Sequence, residues 1–321
     1  MDSLITAAAQ ALAAGDPLGA LKRVALRDDA PALALRGIAM AQLGEFARAK
    51  ELLRRAACAF SPKESVARAR CVVAEAEIAR GIGYHAGLLS LAAMKSATED
   101  DIIAHCAAVA REIPLVGFYL QPAVGGVILS AEFWRRFSSI DNVIAIKIAP
   151  FNRYRTLDVL RGVCAAGALD RIALYTGNDD HILLDLTLPF DLRDRGVTSR
   201  VYFRGGLLGH WSVWTANAIK LFDRCRAARH QDSVPADLLA LDARVTDCNS
   251  ALFDVTNDFH GCIAGCHEIL RRQGLLAGIW CLDPAEGLSA GQLQEIDRVC
   301  NEHADLADDD FVAAHLQKWL A

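Results

Sequence analysis

Several features are scarce in this sequence, and each scarcity excludes something. No apolar run reaches the roughly 18 residues that a membrane-spanning helix needs, although 53% of the 321 residues are hydrophobic. No basic run exceeds two residues, and 34 basic against 39 acidic residues leave a net charge of −5. A dedicated nucleic-acid binder would show a basic face instead, so neither nucleic acid nor membrane is an expected partner. Ten cysteines are scattered without a single CxxC pair. Cys262 and Cys266, four apart in an apolar segment, read as core packing. No signal-peptide pattern opens the chain, which points to a cytoplasmic protein with reduced thiols. His267-Glu268 starts a zinc-protease pattern, but Arg271 stands where the second histidine belongs. No metal and no cofactor are expected.

What is present divides into two kinds of pattern. Residues 1–80 are rich in Ala, Leu, Arg and Glu and carry no strand signal, so they read as helices. A motif repeats there. Ala13-Ala14-Gly15-Asp16 with Ala20 recurs as Gln42-Leu43-Gly44-Glu45 with Ala49, 29 positions later. The second copy resembles the tetratricopeptide repeat, with Ala41, Leu43, Gly44, Phe46, Ala49, Leu53 and Ala56 at packing positions. A third helix, 64–80, opens another unit that Gly81-Ile82-Gly83 interrupts.

From Tyr84 the pattern alternates. Strands are expected at 86–91, 115–121, 143–149, 172–176 and 202–208, with helices at 98–112, 130–138, 156–165 and 180–188 between them. Everything after Val213 reads as helix: 213–230, 235–256, 258–273, 289–303 and 309–320. Strands spaced by helices imply a parallel sheet with right-handed crossovers. The expected fold is α/β: an incomplete (β/α)8-type barrel of about five parallel strands with C-terminal helices, behind an all-α segment. The expected domains are 1–80, 84–230 and 231–321.

The strand VIAIKIAP (143–150) is central. Ile144, Ile146 and Ile148 share one face; Val143, Ala145 and Lys147 share the other. Pro150 cannot continue the ladder, so Lys147 stands at the C-terminal end of a buried strand, where α/β barrels place their chemistry. Two readings are open. The ammonium could snorkel past the strand end. Alternatively the amine forms a Schiff base with a carbonyl substrate, which needs a depressed pKa, since an ordinary lysine is neutral only about once in 2,500 at pH 7. On the strand 115–121, Gly117, Tyr119 and Gln121 share one face. Asp179-Asp180 could hold a divalent ion but are more simply N-terminal helix caps. Gly125-Gly126 and Gly205-Gly206 read as a turn and a strand end, and His85 as a core histidine.

Four segments in order resemble the dihydrodipicolinate synthase and N-acetylneuraminate lyase family of class I aldolases. IPLVGFYLQPAVGG (113–126) looks like that family's strand-five motif, with Tyr119 and Pro122. NVIAIKIA (142–149) looks like its Schiff-base strand, YTGNDD (175–180) its strand-seven motif, and GHWSVWTAN (209–217) the end of strand eight. The resemblance implies a lyase acting on a small, pyruvate-like 2-oxo acid. Lys147 would form the imine and Tyr119 would relay protons; Gly177, Asn178, Gly209 and Trp211 would line the substrate pocket. Relatives of this kind commonly form homo-oligomers. The family's glycine-rich carboxylate-binding motif is not found, and its first strands are missing from the pattern. Val124 stands where an arginine often follows the tyrosine motif, which argues against the lysine-biosynthesis substrate. The alternative is a non-catalytic interaction module, with the helical repeats binding a protein partner beside a remnant barrel.

Overall fold

A computed structural model describes residues 2–61 and 63–321. The chain forms two compact units. One comprises 1–118 and 129–144; the other comprises 119–128 and 145–321.

The first unit opens with five helices: α1 (Ser3–Ala13), α2 (Pro17–Val24), α3 (Ala30–Gln42), α4 (Phe46–Ala59) and α5 (Ser65–Gly81). Asp2, Asp16 and Asp29 cap α1, α2 and α3 by accepting backbone N–H bonds, the role short acids fill best. Ala49, Leu53 and Ala56 are fully buried on α4. Leu43 differs: it ends α3 and is 41% exposed. It sits in the turn between α3 and α4. After α5 come β1 (Gly87–Leu89), α6 (Glu99–Glu112), the start of β2 (Leu115–Leu120) and α7 (Ala131–Ser138). Thr98 and Asp101 form a reciprocal capping box at the start of α6. His85 lies exposed ahead of β1 and is not a core residue, because β1 is only three residues long.

The second unit carries β3 (Val143–Ala149) from Ala145 onward, α8 (Arg153–Ala165), β4 (Ala173–Thr176) and α9 (Ile182–Thr187). It continues with β5 (Phe190–Asp194), β6 (Val197–Val201), β7 (Gly205–Gly206) and α10 (Thr215–Ala228). The remaining helices are α11 (Ala236–Leu252), α12 (Cys262–Arg272), α13 (Gln292–Glu302) and α14 (Asp309–Leu320). Leu183, Val213, Trp214, Cys248, Leu252 and Ile296 belong to its apolar core. Cys262 and Cys266 pack against that core, and all ten cysteines are free thiols.

The sheet runs β1-β2-β3-β4-β7, five parallel strands in one layer, as the alternation of strands and helices predicts. Two elements depart from expectation. β7 is two residues long, not the seven of 202–208. The preceding segment instead forms an antiparallel hairpin, β5 with β6, outside the main sheet. Its turn, Asp194-Arg195-Gly196-Val197, holds Arg195 and Gly196 at positive φ (47° and 84°), the backbone that two-residue hairpin turns need.

Candidate active site

Lys147 stands on β3 in register with Tyr175 of β4, which in turn is in register with Gly205 of β7. In-register neighbours of parallel strands share a face, so Lys147 and Tyr175 point the same way. The lysine side chain lies over Gly177. A Cβ on Gly177 would come within 3.0 Å of Lys147 Cε and 2.7 Å of Ala149 Cβ, so only glycine fits there. On β2, Leu115, Gly117 and Tyr119 are the buried alternate residues, and Tyr119 is fully buried. Lys147 itself is half-buried.

Asp179 departs from its expected role. The sequence predicts a cap for the helix 180–188, yet α9 begins only at Ile182. The first-turn amides of that helix, Leu183 and Leu184, donate to Asp242 on α11 at 2.9 and 3.2 Å. Asp179 is left buried beside the lysine. Burial pushes its carboxyl up to about 6. The backbone N–H groups of His210 and Gly209 and the Lys147 charge oppose that rise. The His210 N–H lies 3.1 Å from Oδ1. Burial likewise lowers the Lys147 pKa from the ordinary lysine value, and the Asp179 charge partly restores it. A half-buried amine and a buried acid that each shift the other are a recognised mark of functional sites.

A network of hydrogen bonds holds the loop that carries Asp179. Asn178 Nδ2 donates to Thr156 Oγ1 at 3.2 Å and to Asp185 Oδ2 at 3.0 Å. Its Oδ1 accepts the Phe151 N–H at 3.2 Å. Thr176 Oγ1 donates to Asp185 at 2.6 Å, and Arg153 pairs with the other Asp185 oxygen. Both donors of Asn178 are thus committed, so it positions the loop. Phe151, just after Pro150, has φ 48°, a conformation uncommon for a bulky residue. The Asn178 bond and the Phe259 ring, 5.7 Å from the Phe151 ring, hold it there.

Four residues past the C-terminal end of β7, His210 is buried. Its Nδ1 is 2.6 Å from Asn249 Oδ1, and burial lowers its pKa to about 4. Asn249 Nδ2 also donates to the Asp179 carbonyl at 2.8 Å. Gly209 lies against Phe253: a Cβ on the glycine would come within 3.0 Å of that ring. Trp211 packs edge-on against Phe222 of α10 at 5.7 Å between centroids and joins the apolar core. Trp214 is buried in the core. Of the zinc-protease fragment, Glu268 is spent on Arg271 and Arg272, at 2.7 and 2.9 Å.

No family model matches the chain, and no curated protein matches it. Solved structures do. A monomeric dihydrodipicolinate synthase variant aligns over 80% of this chain and 80% of its own, at 14% identity and a TM-score of 0.55. The dihydrodipicolinate synthase of Acinetobacter baumannii, solved with pyruvate, aligns over 78% and 79%, at 18% identity and 0.53. That of Thermotoga maritima aligns over 79% and 80%, at 15% and 0.53. At such identities the likeness establishes a shared fold.

Proposed function

We propose that the protein is an imine-forming lyase of the class I aldolase type, acting on a small 2-oxo acid through Lys147. The observation that carries this reading is the Lys147 amine, depressed by burial, within the field of the buried Asp179. The shared fold supports it, and so does the pyruvate held by the Acinetobacter enzyme. The neutral amine would add to the C2 carbonyl of the 2-oxo acid, and loss of water would leave a protonated imine. That imine draws electrons from C3, so a bond to C3 forms or breaks with the pair held as an enamine. Asp179 would take up the proton that Lys147 must lose before attack, and its pKa near 6 suits an acceptor at neutral pH. Tyr119 would carry protons to and from the substrate. Gly177 gives the lysine stem its room, Gly209 donates to Asp179, Asn178 fixes the loop, and Trp211 would wall the pocket.

Borohydride trapping with pyruvate tests this. A stable adduct on the peptide containing Lys147, lost in Lys147→Ala, is the expected result. Folded protein that yields no adduct with pyruvate or other 2-oxo acids would overturn it. Tyr119→Phe separates the roles: trapping persists, while exchange of the pyruvate C3 hydrogens into heavy water falls at least tenfold.

A further inference from the structure

A second constellation lies at the other end of β4, and it does not rest on the lysine reading. Here the chain lines an open cavity of about 810 Å³, within the range of small-molecule sites. Leu169, Ile172 and Leu174 form an apolar wall, and Arg204, Arg226 and Arg229 supply the charge. Among the described residues, none of these three arginines makes an ion pair. The other arginine of the lining, Arg200, is already spent on Asp191 through two bonds of 2.7 and 2.8 Å. One carboxylate, Asp170, lines the cavity, so surplus positive charge remains in a protein whose net charge is −5.

Two of the guanidiniums, those of Arg229 and Arg226, are held in place before any ligand arrives. Arg229 stacks over the Tyr202 ring at 5.2 Å, and its Nε donates to the Leu186 carbonyl at 2.6 Å. Arg226 lies over the Phe222 ring at 5.6 Å. Arg229 Nη2 is buried with no hydrogen-bond partner, and a buried donor left unsatisfied calls for an explanation. Burial lowers the Arg229 pKa, and the Arg226 and Arg204 charges add to the effect. Like charges gathered without counter-ions are costly unless an anion joins them.

We propose that this cavity binds a small organic diphosphate. Planar guanidinium forks match phosphate oxygens in pairs, a diphosphate group answers the surplus charge, and the apolar wall takes the organic part. The ligand enters as a binding partner; no chemical step is assigned to it.

Isothermal titration of the full-length protein at low salt tests the assignment, with inorganic pyrophosphate, ADP and citrate as probes. Pyrophosphate and ADP are expected to bind one to one, ADP at least as tightly, and citrate at least tenfold more weakly. Arg204→Gln with Arg226→Gln, both exposed side chains, is expected to weaken both phosphates at least tenfold. Arg224→Gln, on the same helix but paired with Asp237 at 2.8 Å, is expected to leave binding unchanged. Four results would overturn the proposal: no saturable phosphate binding, an unaffected double variant, citrate binding as tightly as pyrophosphate, or ADP binding more weakly than pyrophosphate.

Discussion

The two ends of β4 handle polar groups in opposite ways. At the C-terminal end, Thr176, Asn178, Asp185 and Arg153 satisfy one another, and Asp179 accepts backbone N–H groups. At the N-terminal end, three arginines line a cavity and none makes an ion pair among the described residues, with Asp170 the one carboxylate in the lining. A closed network fixes geometry; an open one leaves binding energy for something else. Substitutions within the closed network of Thr176, Asn178, Asp185 and Arg153 therefore cost stability, and those at the second end cost almost none.

Asp185 should show the largest effect. It is fully buried, and its two oxygens hold Arg153, Thr176 and Asn178. Asp185→Ala leaves a half-buried arginine and a buried amide without their acceptor. Removing one member of such a set costs about 3–5 kcal/mol, read as a drop in the urea midpoint. A loss under about 1 kcal/mol would mean the network is no tighter than a surface ion pair.

Asp179 should move stability the other way. Its folded pKa, about 6, lies above the ordinary carboxylate value of 3.8. The folded state therefore holds this proton more tightly than the unfolded chain does, and stability is lost as pH rises from 3.8 through 6. Above that window the ionised carboxylate carries a penalty on the order of 3 kcal/mol, at 1.36 kcal/mol per pKa unit. Asp179→Asn removes it while keeping an oxygen for the His210 N–H. The variant should gain about 1–3 kcal/mol at pH 8 and nothing at pH near 3.8, while pyruvate C3 exchange collapses. His210 acts in the opposite sense. Its folded pKa, about 4, lies below the ordinary 6.5, so its contribution is present above 6.5 and lost as pH falls through 4. In the wild type the two trends oppose each other between pH 4 and 6; Asp179→Asn should expose the acid loss due to His210. Equal pH profiles for the two proteins would remove Asp179 from the account.

The same contrast explains what is legible in the residues. β2 is buried at every second residue, so period-two reasoning matches the buried Leu115, Gly117 and Tyr119, whereas β3 is buried on both faces and leaves Lys147 half-buried. The five parallel strands follow from the alternation of strands and helices. Asp179 escapes because an acid just before a helical run is normally a cap. The true partner of those helix amides, Asp242, is about 60 residues away and leaves no local trace. The hairpin β5–β6 escapes for a related reason. β5 does alternate, with Phe190 and Leu192 buried and Asp191 and Arg193 exposed, but in β6 Val197, Thr198 and Arg200 are all exposed, and the turn is Arg-Gly instead of Asn-Gly, so nothing local marks a partner strand. The arginine cavity draws on that hairpin's end and the last turns of α10, which only the fold brings together.

The smallest effect is the sharpest test of the open end. Arg204 and Arg226 are exposed and have no acid partner among the described residues, so glutamine in their place breaks no ion pair and removes repulsion around Arg229, at the cost of the exposed Arg226 contact with the Phe222 ring. Arg224, two residues before Arg226, is paired with Asp237, and glutamine there breaks an attraction. Surface changes of this kind stay within about 0.5 kcal/mol, so sign decides more than size. At about 20 mM salt, the double variant should raise the urea midpoint slightly and Arg224→Gln should lower it slightly. At about 300 mM, where the screening length is well under 10 Å, both differences should shrink toward zero. A double variant that loses stability at low salt, with the loss shrinking at high salt as that of Arg224→Gln does, would mean that those guanidiniums already have acid partners, and the contrast between the two ends of β4 would fail.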